Sequence, residues 1–227
     1  SVSNFWFEPA KKFDFVPGQF LEWTLPHSKP DARGLRRYFT IASSPTESGI
    51  LLTTKFAEKS STFKQTLKNL KIGGKIIASG LGGDFTLPKD LKQPMALIAG
   101  GIGITPFRSM IKYLLDSNLS AKITLLYSTR SAQDIVFEEI FDEAARKFDL
   151  KAVYTITENV PDSCPGRTGY IDEAVIRAEV PDYQNRLFYI SGPEPMVEAF
   201  EKLVAGMGVK LSNIKRDYFP GYTDTHR

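Results

Sequence analysis

The hydrophobic pattern of the first 87 residues predicts β-structure. Apolar and polar residues alternate in short runs, as in a strand, whose successive side chains face opposite sides. Turn residues such as Pro17-Gly18 and Gly73-Gly74 separate these runs, and only the segment 62–70 has the spacing of a helix. The predicted strands are 4–7, 19–25, 37–42, 50–56 and 75–79. This pattern is typical of an antiparallel barrel with one helix.

A different pattern begins at Met95, after a linker at 88–94 that contains two prolines. Here strands alternate with longer helical patterns, which predicts a parallel sheet covered by helices on both faces. The predicted strands are 95–99, 123–127, 152–157, 187–190 and a last one near 213–218. The predicted helices are 106–115, 137–148, 171–178 and 193–205. Ligands of such sheets bind at the carboxyl ends of the strands.

The segment 100–106, which reads GGIGITP, lies at one of these strand ends and precedes a helix. Glycines let backbone N–H groups approach a phosphate closely, and a helix N-terminus adds partial positive charge. The geometry suits the pyrophosphate of a dinucleotide. A glycine turn with a purely structural role is the alternative at this point.

Composition excludes several classes of function. The net charge is +3 on 227 residues and the basic residues are scattered, so nothing supports binding to nucleic acid. A single cysteine, Cys164, forms no internal disulfide and cannot hold an iron–sulfur cluster, and we expect a reducing, cytoplasmic compartment. Two histidines without a spaced ligand cluster argue against a metal centre.

The ends of the chain favour a domain taken from a longer protein. The first residue is Ser1 and a strand pattern begins at once, while no apolar run approaches the roughly 18 residues of a membrane span. We therefore expect that a membrane or partner domain is missing. In that case the chain would lie at the cytoplasmic face of a larger, membrane-associated protein.

Four ordered segments carry a more specific pattern: RYFTIASSP at 37–45, GGIGITP at 100–106, SGPEPM at 191–196 and DYF at 217–219. Together they resemble the ferredoxin-NADP reductase superfamily over nearly the whole chain. The resemblance implies an antiparallel six-stranded β-barrel for the flavin, followed by an α/β doubly wound parallel sheet for the nicotinamide nucleotide. The implied domains are 1–90 for FAD and 95–227 for NAD(P).

The same resemblance assigns flavin contacts. Arg37 would bind the pyrophosphate, Phe39 would pack on the ring where relatives more often have tyrosine, and the Thr40 hydroxyl would reach flavin N5. Helix capping explains Ser60, Ser61 and Thr62 equally well, but Lys55 and Lys59 beside them favour an anion, and hence FAD rather than FMN. The predicted flavin-binding residues are Arg37, Tyr38, Phe39, Thr40, Thr53, Thr54, Lys55, Lys59, Ser60, Ser61, Thr62 and Phe219.

The nicotinamide contacts follow from the later motifs. Ser191 would lie beside the nicotinamide, although it is also a good candidate for the N-cap of the helix at 193–205. Asp217 would relay a proton to reduced flavin and Phe219 would cover the ring, so Thr40, Ser191 and Asp217 are the predicted catalytic residues. The predicted nucleotide-binding residues are Gly100, Gly101, Gly103, Thr105, Ser128, Arg130, Glu158, Gly192, Pro193 and Met196.

Glu158 bears on the choice between NADH and NADPH. A carboxylate at the end of the third strand would repel the 2′-phosphate of NADPH and could accept hydrogen bonds from ribose hydroxyls. Arg130 and Arg167 argue the other way, unless they are solvated loop residues. The balance favours NADH as the electron donor.

The sequence thus predicts a flavin-dependent NAD(P)H oxidoreductase that takes hydride from nicotinamide to FAD N5. The electrons would pass to an external acceptor: a ferredoxin, flavodoxin, quinone, haem or a linked membrane domain. Two alternatives stay open, a non-autonomous flavin-binding electron-transfer or regulatory subunit and a nucleotide sensor.

Overall fold

Two antiparallel sheets form the first half of the protein in the computed structural model, which describes residues 1–159 and 166–219. The first sheet pairs β1 with β4, and the second has the order β3-β2-β5. A hydrogen bond from the N–H of Ala42 to the carbonyl of Leu51 links the two sheets. The elements are β1 (Val2–Phe7), β2 (Phe20–Thr24), β3 (Arg36–Thr40), β4 (Ile50–Lys55), helix α1 (Thr62–Lys68) and β5 (Ile77–Gly82).

This half contains five strands rather than the six of the predicted barrel. Residues 8–19 and 83–94 lie outside the strands. Each of these segments carries two prolines, which lack the N–H that a ladder needs. The barrel is therefore built from two short sheets around one apolar core, in which Trp23 and Phe63 are fully buried.

The second half is a six-stranded parallel sheet of order β11-β10-β6-β7-β8-β9. Its strands are β6 (Met95–Gly100), β7 (Ile123–Thr129), β8 (Leu150–Ile156), β9 (Arg167–Thr168), β10 (Leu187–Pro193) and β11 (Ile214–Phe219). Its helices are α2 (Thr105–Asp116), α3 (Glu138–Lys147), α4 (Glu173–Glu179) and α5 (Glu194–Gly206). The two faces of the sheet contribute to separate hydrophobic cores, as expected of a doubly wound sheet.

One core runs through both halves. Phe85, just after β5, packs on Phe107 of α2 and Tyr189 of β10, with ring centroids 5.8 and 5.3 Å apart. The hydroxyl of Ser109 donates to the carbonyl of Ser43 at 2.6 Å, and so α2 is held against the segment that follows β3. The domain boundaries at residues 90 and 95 stay a prediction.

None of the helices within residues 1–159 and 166–219 has the length and apolar character that crossing a bilayer requires.

Candidate active site

The strand order creates a crevice in the second half. From β6 the chain proceeds to β7 on one side, whereas β10 lies against the other side of β6. The loops that leave β6 and β10 therefore diverge, which is the switch point at which open α/β sheets bind ligands. Residues 100–104 and 191–193 lie at these two strand ends. The structure thus brings together the motifs at 100–106 and 191–196.

The glycine turn needs its glycines for close packing against β10. A Cβ on Gly103 would lie 2.2 Å from the carbonyl oxygen of Ser191 and 2.7 Å from Cα of Gly192. Gly101 has a φ of +52°, in the region that side-chain-bearing residues avoid, and no atom lies within 4 Å of its would-be Cβ. A ligand can therefore approach the backbone of the turn closely at Gly101.

Met196 and Pro193 close the other side of this turn. A Cβ on Gly100 would lie 2.1 Å from Sδ of Met196 and 3.4 Å from Cδ of Pro193. Thr105 is buried, and its hydroxyl donates to the carbonyl of Ile102 at 3.1 Å. The hydroxyl of Thr105 therefore stabilises the turn itself.

Ser191 has a hydroxyl that is fully buried and has no hydrogen-bond partner within the described residues. It does not cap α5, because Pro193 is the N-cap of that helix and no side chain accepts a hydrogen bond there. The capping alternative for Ser191 is wrong. A buried hydroxyl without a partner costs about 1–3 kcal/mol, so the site suits a ligand that supplies the missing hydrogen bond.

Asp217 lies beside Ser191, as its partner in the register between β10 and β11. Alternation along β11 puts Lys215 on the same face as Asp217, and Nζ of Lys215 donates to the carbonyl of Thr86 at 3.2 Å. That face therefore looks toward the barrel. Burial, with a smaller contribution from the charge of Asp84, raises the pKa of Asp217 to about 6. Asp217 can thus hold a proton up to about pH 6.

The raised pKa of Asp217 predicts a pH-dependent stability. Between about pH 4 and pH 6 the folded state binds more protons than the unfolded state, so the contribution of Asp217 falls as pH rises through this range. We expect Asp217→Asn to exceed the wild type by about 1–3 kcal/mol in unfolding free energy at pH 7.5, and to lose this advantage near pH 4. Urea unfolding at both pH values measures this. Asp142→Asn, an exposed site on α3, is the control, and an equal response of both variants would contradict the prediction.

Strand β3 presents its predicted flavin residues on two faces. Arg37 pairs with Trp23 and Phe39 with Leu21, so Arg37 and Phe39 face the barrel core. Phe39 packs on Phe63 of α1, with ring centroids 5.8 Å apart.

The opposite face of β3 carries Tyr38 and Thr40. Tyr38 is 60% exposed, and its hydroxyl donates to Glu22 at 2.8 Å. Thr40 is buried next to Phe20 of β2. From Thr40 the chain continues to Ala42, whose carbonyl accepts a hydrogen bond from Arg108 of α2 at 2.9 Å. Thr40 therefore lies close to the junction of the two halves.

Arg37 is buried and bound to its own chain. Its Nη2 donates to both carboxylate oxygens of Asp31, at 2.7 and 2.9 Å. Its Nη1 donates to the carbonyls of Arg33, Gly34 and Arg36. Burial by itself raises the pKa of Asp31, but the hydrogen bonds from Arg37 and from the Arg33 N–H hold that pKa below its usual value. The role of Asp31 was not predicted, although it is the only acid among the basic residues of 29–37.

The segment predicted to hold flavin phosphates around α1 has mixed roles. Ser61 caps α1 by accepting a hydrogen bond from the N–H of Lys64, as the capping alternative predicts. Thr62 contacts Asp31, and the hydroxyl of Ser60 donates to the carbonyl of Ala57. Lys59 is exposed at the same turn.

The end of β4 adds three more predicted residues. The hydroxyl of Thr53 donates to Asn4 at 2.7 Å, while the hydroxyl of Thr54 is buried and has no partner within the described residues. Nζ of Lys55 lies 2.9 Å from Asp134, so Lys55 joins the two halves of the protein. The unpartnered hydroxyls of Thr54 and Ser191 fit bound cofactors that would satisfy them.

The ends of β7 and β8 form a third part of the site. Arg130 and Glu158 lie 3.7 Å apart and are each 55% exposed, and Ser128 lies at the end of β7. A cavity of about 280 Å³ opens beside them, lined by Ser131, Ala132, Gln133 and Asn159. Arg167 pairs instead with Glu179 of α4. Of the two arginines weighed for nucleotide choice, Arg130 is therefore the one beside Glu158.

The chain is similar to known oxidoreductases. Residues 97–202 match the family model described as "Oxidoreductase NAD-binding domain". The chain is 28% identical to the glycine betaine monooxygenase reductase subunit of Chromohalobacter salexigens, covering 91% of this chain and 56% of that protein. It is 27% identical to NADH-cytochrome b5 reductase 1 of Coccidioides immitis, covering 78% and 60%. The chain thus spans a little over half the length of these relatives.

Two solved structures share the fold. A cytochrome P450 reductase from Amycolatopsis superimposes with a TM-score of 0.84 at 25% identity, covering 96% of this chain and 65% of that chain. The FAD/NAD-binding domain of nitric oxide dioxygenase from Vibrio cholerae gives a TM-score of 0.81 at 20% identity, covering 96% and 92%. These likenesses confirm the predicted antiparallel half followed by a wound parallel sheet.

Proposed function

We propose that this chain takes a hydride from a nicotinamide dinucleotide onto a bound flavin and passes the electrons to a separate acceptor, as the ferredoxin-NADP reductase-like oxidoreductases that it resembles would do. The predicted enzyme class and the predicted cofactors, FAD and NADH or NADPH, agree with the comparisons. The residues that carry out each step are part of the proposal.

One observation carries the proposal most directly. The buried, unpartnered hydroxyl of Ser191 lies beside Asp217 at the switch point of the sheet, on the face that looks toward the barrel. The carbonyl of Thr86 in the barrel half accepts hydrogen bonds from Tyr189 at 2.9 Å and from Lys215. The sheet crevice and the barrel are thus held in contact, as two cofactors that must meet would require.

The mechanism that we propose is mainly one of positioning. FAD, when bound, supplies an acceptor for two electrons that can release them singly. The glycine turn and the N-terminus of α2 bind the dinucleotide pyrophosphate, and Ser191 orients the nicotinamide through its hydroxyl. Asp217 holds a proton at its carboxyl group near pH 6 and can deliver it within the crevice.

Anaerobic titration of the purified protein with NADH and NADPH tests the function. We expect a yellow protein whose absorbance near 450 nm is bleached by one nucleotide in preference to the other. A colourless protein that binds NADH would favour the nucleotide sensor. A yellow protein that neither nucleotide bleaches would favour the non-autonomous flavin-binding subunit.

Thr40→Val tests the assignment of the hydroxyl to flavin N5. Losing one hydrogen bond of about 1–1.5 kcal/mol predicts a flavin reduction rate that is roughly tenfold slower, with FAD retained. Stopped-flow mixing with NADH measures the rate. Thr24→Val is the control, because Thr24 lies on the same face of the sheet at the other end of β2. A rate equal to that of the wild type would remove Thr40 from the mechanism.

Glu158→Gln tests the nucleotide preference. Since the carboxylate of Glu158 would repel a 2′-phosphate, we expect NADH to be preferred, and the variant to gain roughly fivefold or more in kcat/KM for NADPH relative to NADH. Glu143→Gln, on the exposed face of α3, should leave the ratio unchanged. An unchanged ratio in Glu158→Gln would show that the adenosine end lies elsewhere.

The electron acceptor that we propose is a protein partner or a linked domain, because relatives include a reductase subunit of a monooxygenase and a flavohemoprotein. A quinone is the alternative acceptor. We place the reaction in the cytoplasm or at the cytoplasmic face of a membrane, where nicotinamide dinucleotides are available.

A further inference from the structure

Two segments that the sequence predicts to hold the flavin phosphates are both bound to one carboxylate of the protein itself. Arg37 donates to Oδ1 and Oδ2 of Asp31 at 2.7 and 2.9 Å. The backbone N–H of Thr62 donates to Oδ2 of the same carboxylate at 3.2 Å. The carboxylate of Asp31 therefore accepts hydrogen bonds from β3 and from the α1 segment at the same time.

A carboxylate and a phosphate make the same demands on such donors. Both are anions with several acceptor oxygens, and the guanidinium of arginine binds either of them through paired N–H groups. Arg37 is only 5% exposed. Both its Nη atoms donate within residues 31–36, and only its buried Nε has no partner within the described residues. Asp31 holds Nη2 of Arg37, so a phosphate can bind this atom only if Asp31 gives it up.

The contacts of Asp31 form a connected network of hydrogen bonds. Moving the Asp31 side chain would break several of them and so costs free energy. The N–H of Asp31 donates to Oγ1 of Thr62 at 3.0 Å, and Nε2 of His27 lies 3.0 Å from the same hydroxyl. The N–H of Arg33 donates to the Asp31 carboxylate at 2.9 Å. The loop 26–35 is therefore anchored on Arg37 and Thr62 through Asp31.

We propose that Asp31 sets the flavin affinity of this chain, because its carboxylate competes with the flavin phosphates for Arg37 and Thr62. This inference rests on the proposed function. Two anions at one guanidinium repel each other, so binding of the phosphates requires the Arg37–Asp31 pair to open and the loop 26–35 to move. The measured flavin affinity then reflects the difference between two free energies: that of the donors binding the phosphates and that of the same donors binding the Asp31 carboxylate.

Flavin titrations of the deflavinated protein test this competition. Asp31→Asn keeps the size of the side chain and removes its charge, so we expect the Kd for FAD and for FMN to fall about tenfold or more. Riboflavin has no phosphate, and its Kd should be unchanged. Asp142→Asn, which removes one charge from an exposed site on α3, should change none of the three values.

A measurement on the wild type does not depend on how the variant folds. Trypsin cleavage after Arg33 should become faster when FAD is added, because the loop leaves Arg37, and riboflavin should not produce this effect. Slower or unchanged cleavage overturns the proposal, as does an Asp31→Asn variant that binds FAD no better than the wild type. In both cases the proposed function stands as long as the wild type binds flavin. If neither protein binds any flavin, the proposed function fails and this inference fails with it.

Discussion

Gly103→Ala is expected to lower the rate of flavin reduction by NADH by about 100-fold, since a misplacement of about 1 Å in a reacting geometry has costs of this order. The added Cβ would lie 2.2 Å from the carbonyl oxygen of Ser191, far inside van der Waals contact. Both contact partners are backbone, so the glycine turn or the end of β10 has to shift. We also expect a loss of about 1–3 kcal/mol in unfolding free energy.

Two measurements separate these effects. Stopped-flow reduction by NADH gives the rate, and urea unfolding gives the stability. Gly206→Ala is the matched control, because no atom lies within 4 Å of the Cβ that it would add at the end of α5. Gly206→Ala should react at the wild-type rate. A Gly103→Ala variant with normal kinetics would mean that the nucleotide does not bind at this turn.

Arg108→Ala is expected to lower the unfolding free energy by about 3–5 kcal/mol, the cost of removing one partner from a buried ion pair. Arg108 of α2 is buried; it contacts Glu47 and donates to the carbonyl of Ala42 in the barrel half. It also lies over the rings of Trp6 and Phe137, at 5.7 and 5.4 Å from their centroids. Its loss would remove contacts that join the two halves of the protein.

Urea unfolding of Arg108→Ala, Glu47→Ala and the double variant measures the coupling between the two side chains. We expect a coupling energy of about 1–3 kcal/mol. The control is Lys112→Ala on the same helix, whose ion pair with Asp116 is partly exposed and should be worth at most about 0.5 kcal/mol. A loss of stability in Arg108→Ala no larger than that in Lys112→Ala would show that this pair does not hold the halves together.

The sequence predicts the regular elements well where hydrophobic periodicity is strong. The strand predicted at 95–99 and the helix predicted at 106–115 agree with β6 and α2 within one residue. β9 was missed because a strand of two exposed residues, Arg167 and Thr168, has no periodicity. The predicted sixth strand of the barrel came from the family resemblance, and the prolines of 8–19 and 83–94 argue against it locally.

The candidate site could be predicted only where a motif is local. The turn at 100–106 and Ser191 were found from the sequence, but the closeness of Gly103 to Ser191 depends on β6 and β10 being neighbours. Asp31 lies in a segment that looks like a simple turn, and its role emerges from contacts with Arg37 and Thr62. Such contacts between distant segments leave no periodic signal.

The aromatic packing around Phe85 has a consequence for the stability of the second half. Phe107 and Tyr189 of the second half are covered by a side chain from the first, and the hydroxyl of Tyr189 finds its acceptor at Thr86. A gene fragment that encoded only the wound sheet would leave these rings exposed to water and this hydroxyl without its acceptor. A fragment limited to the wound sheet is therefore expected to be less stable than the intact chain.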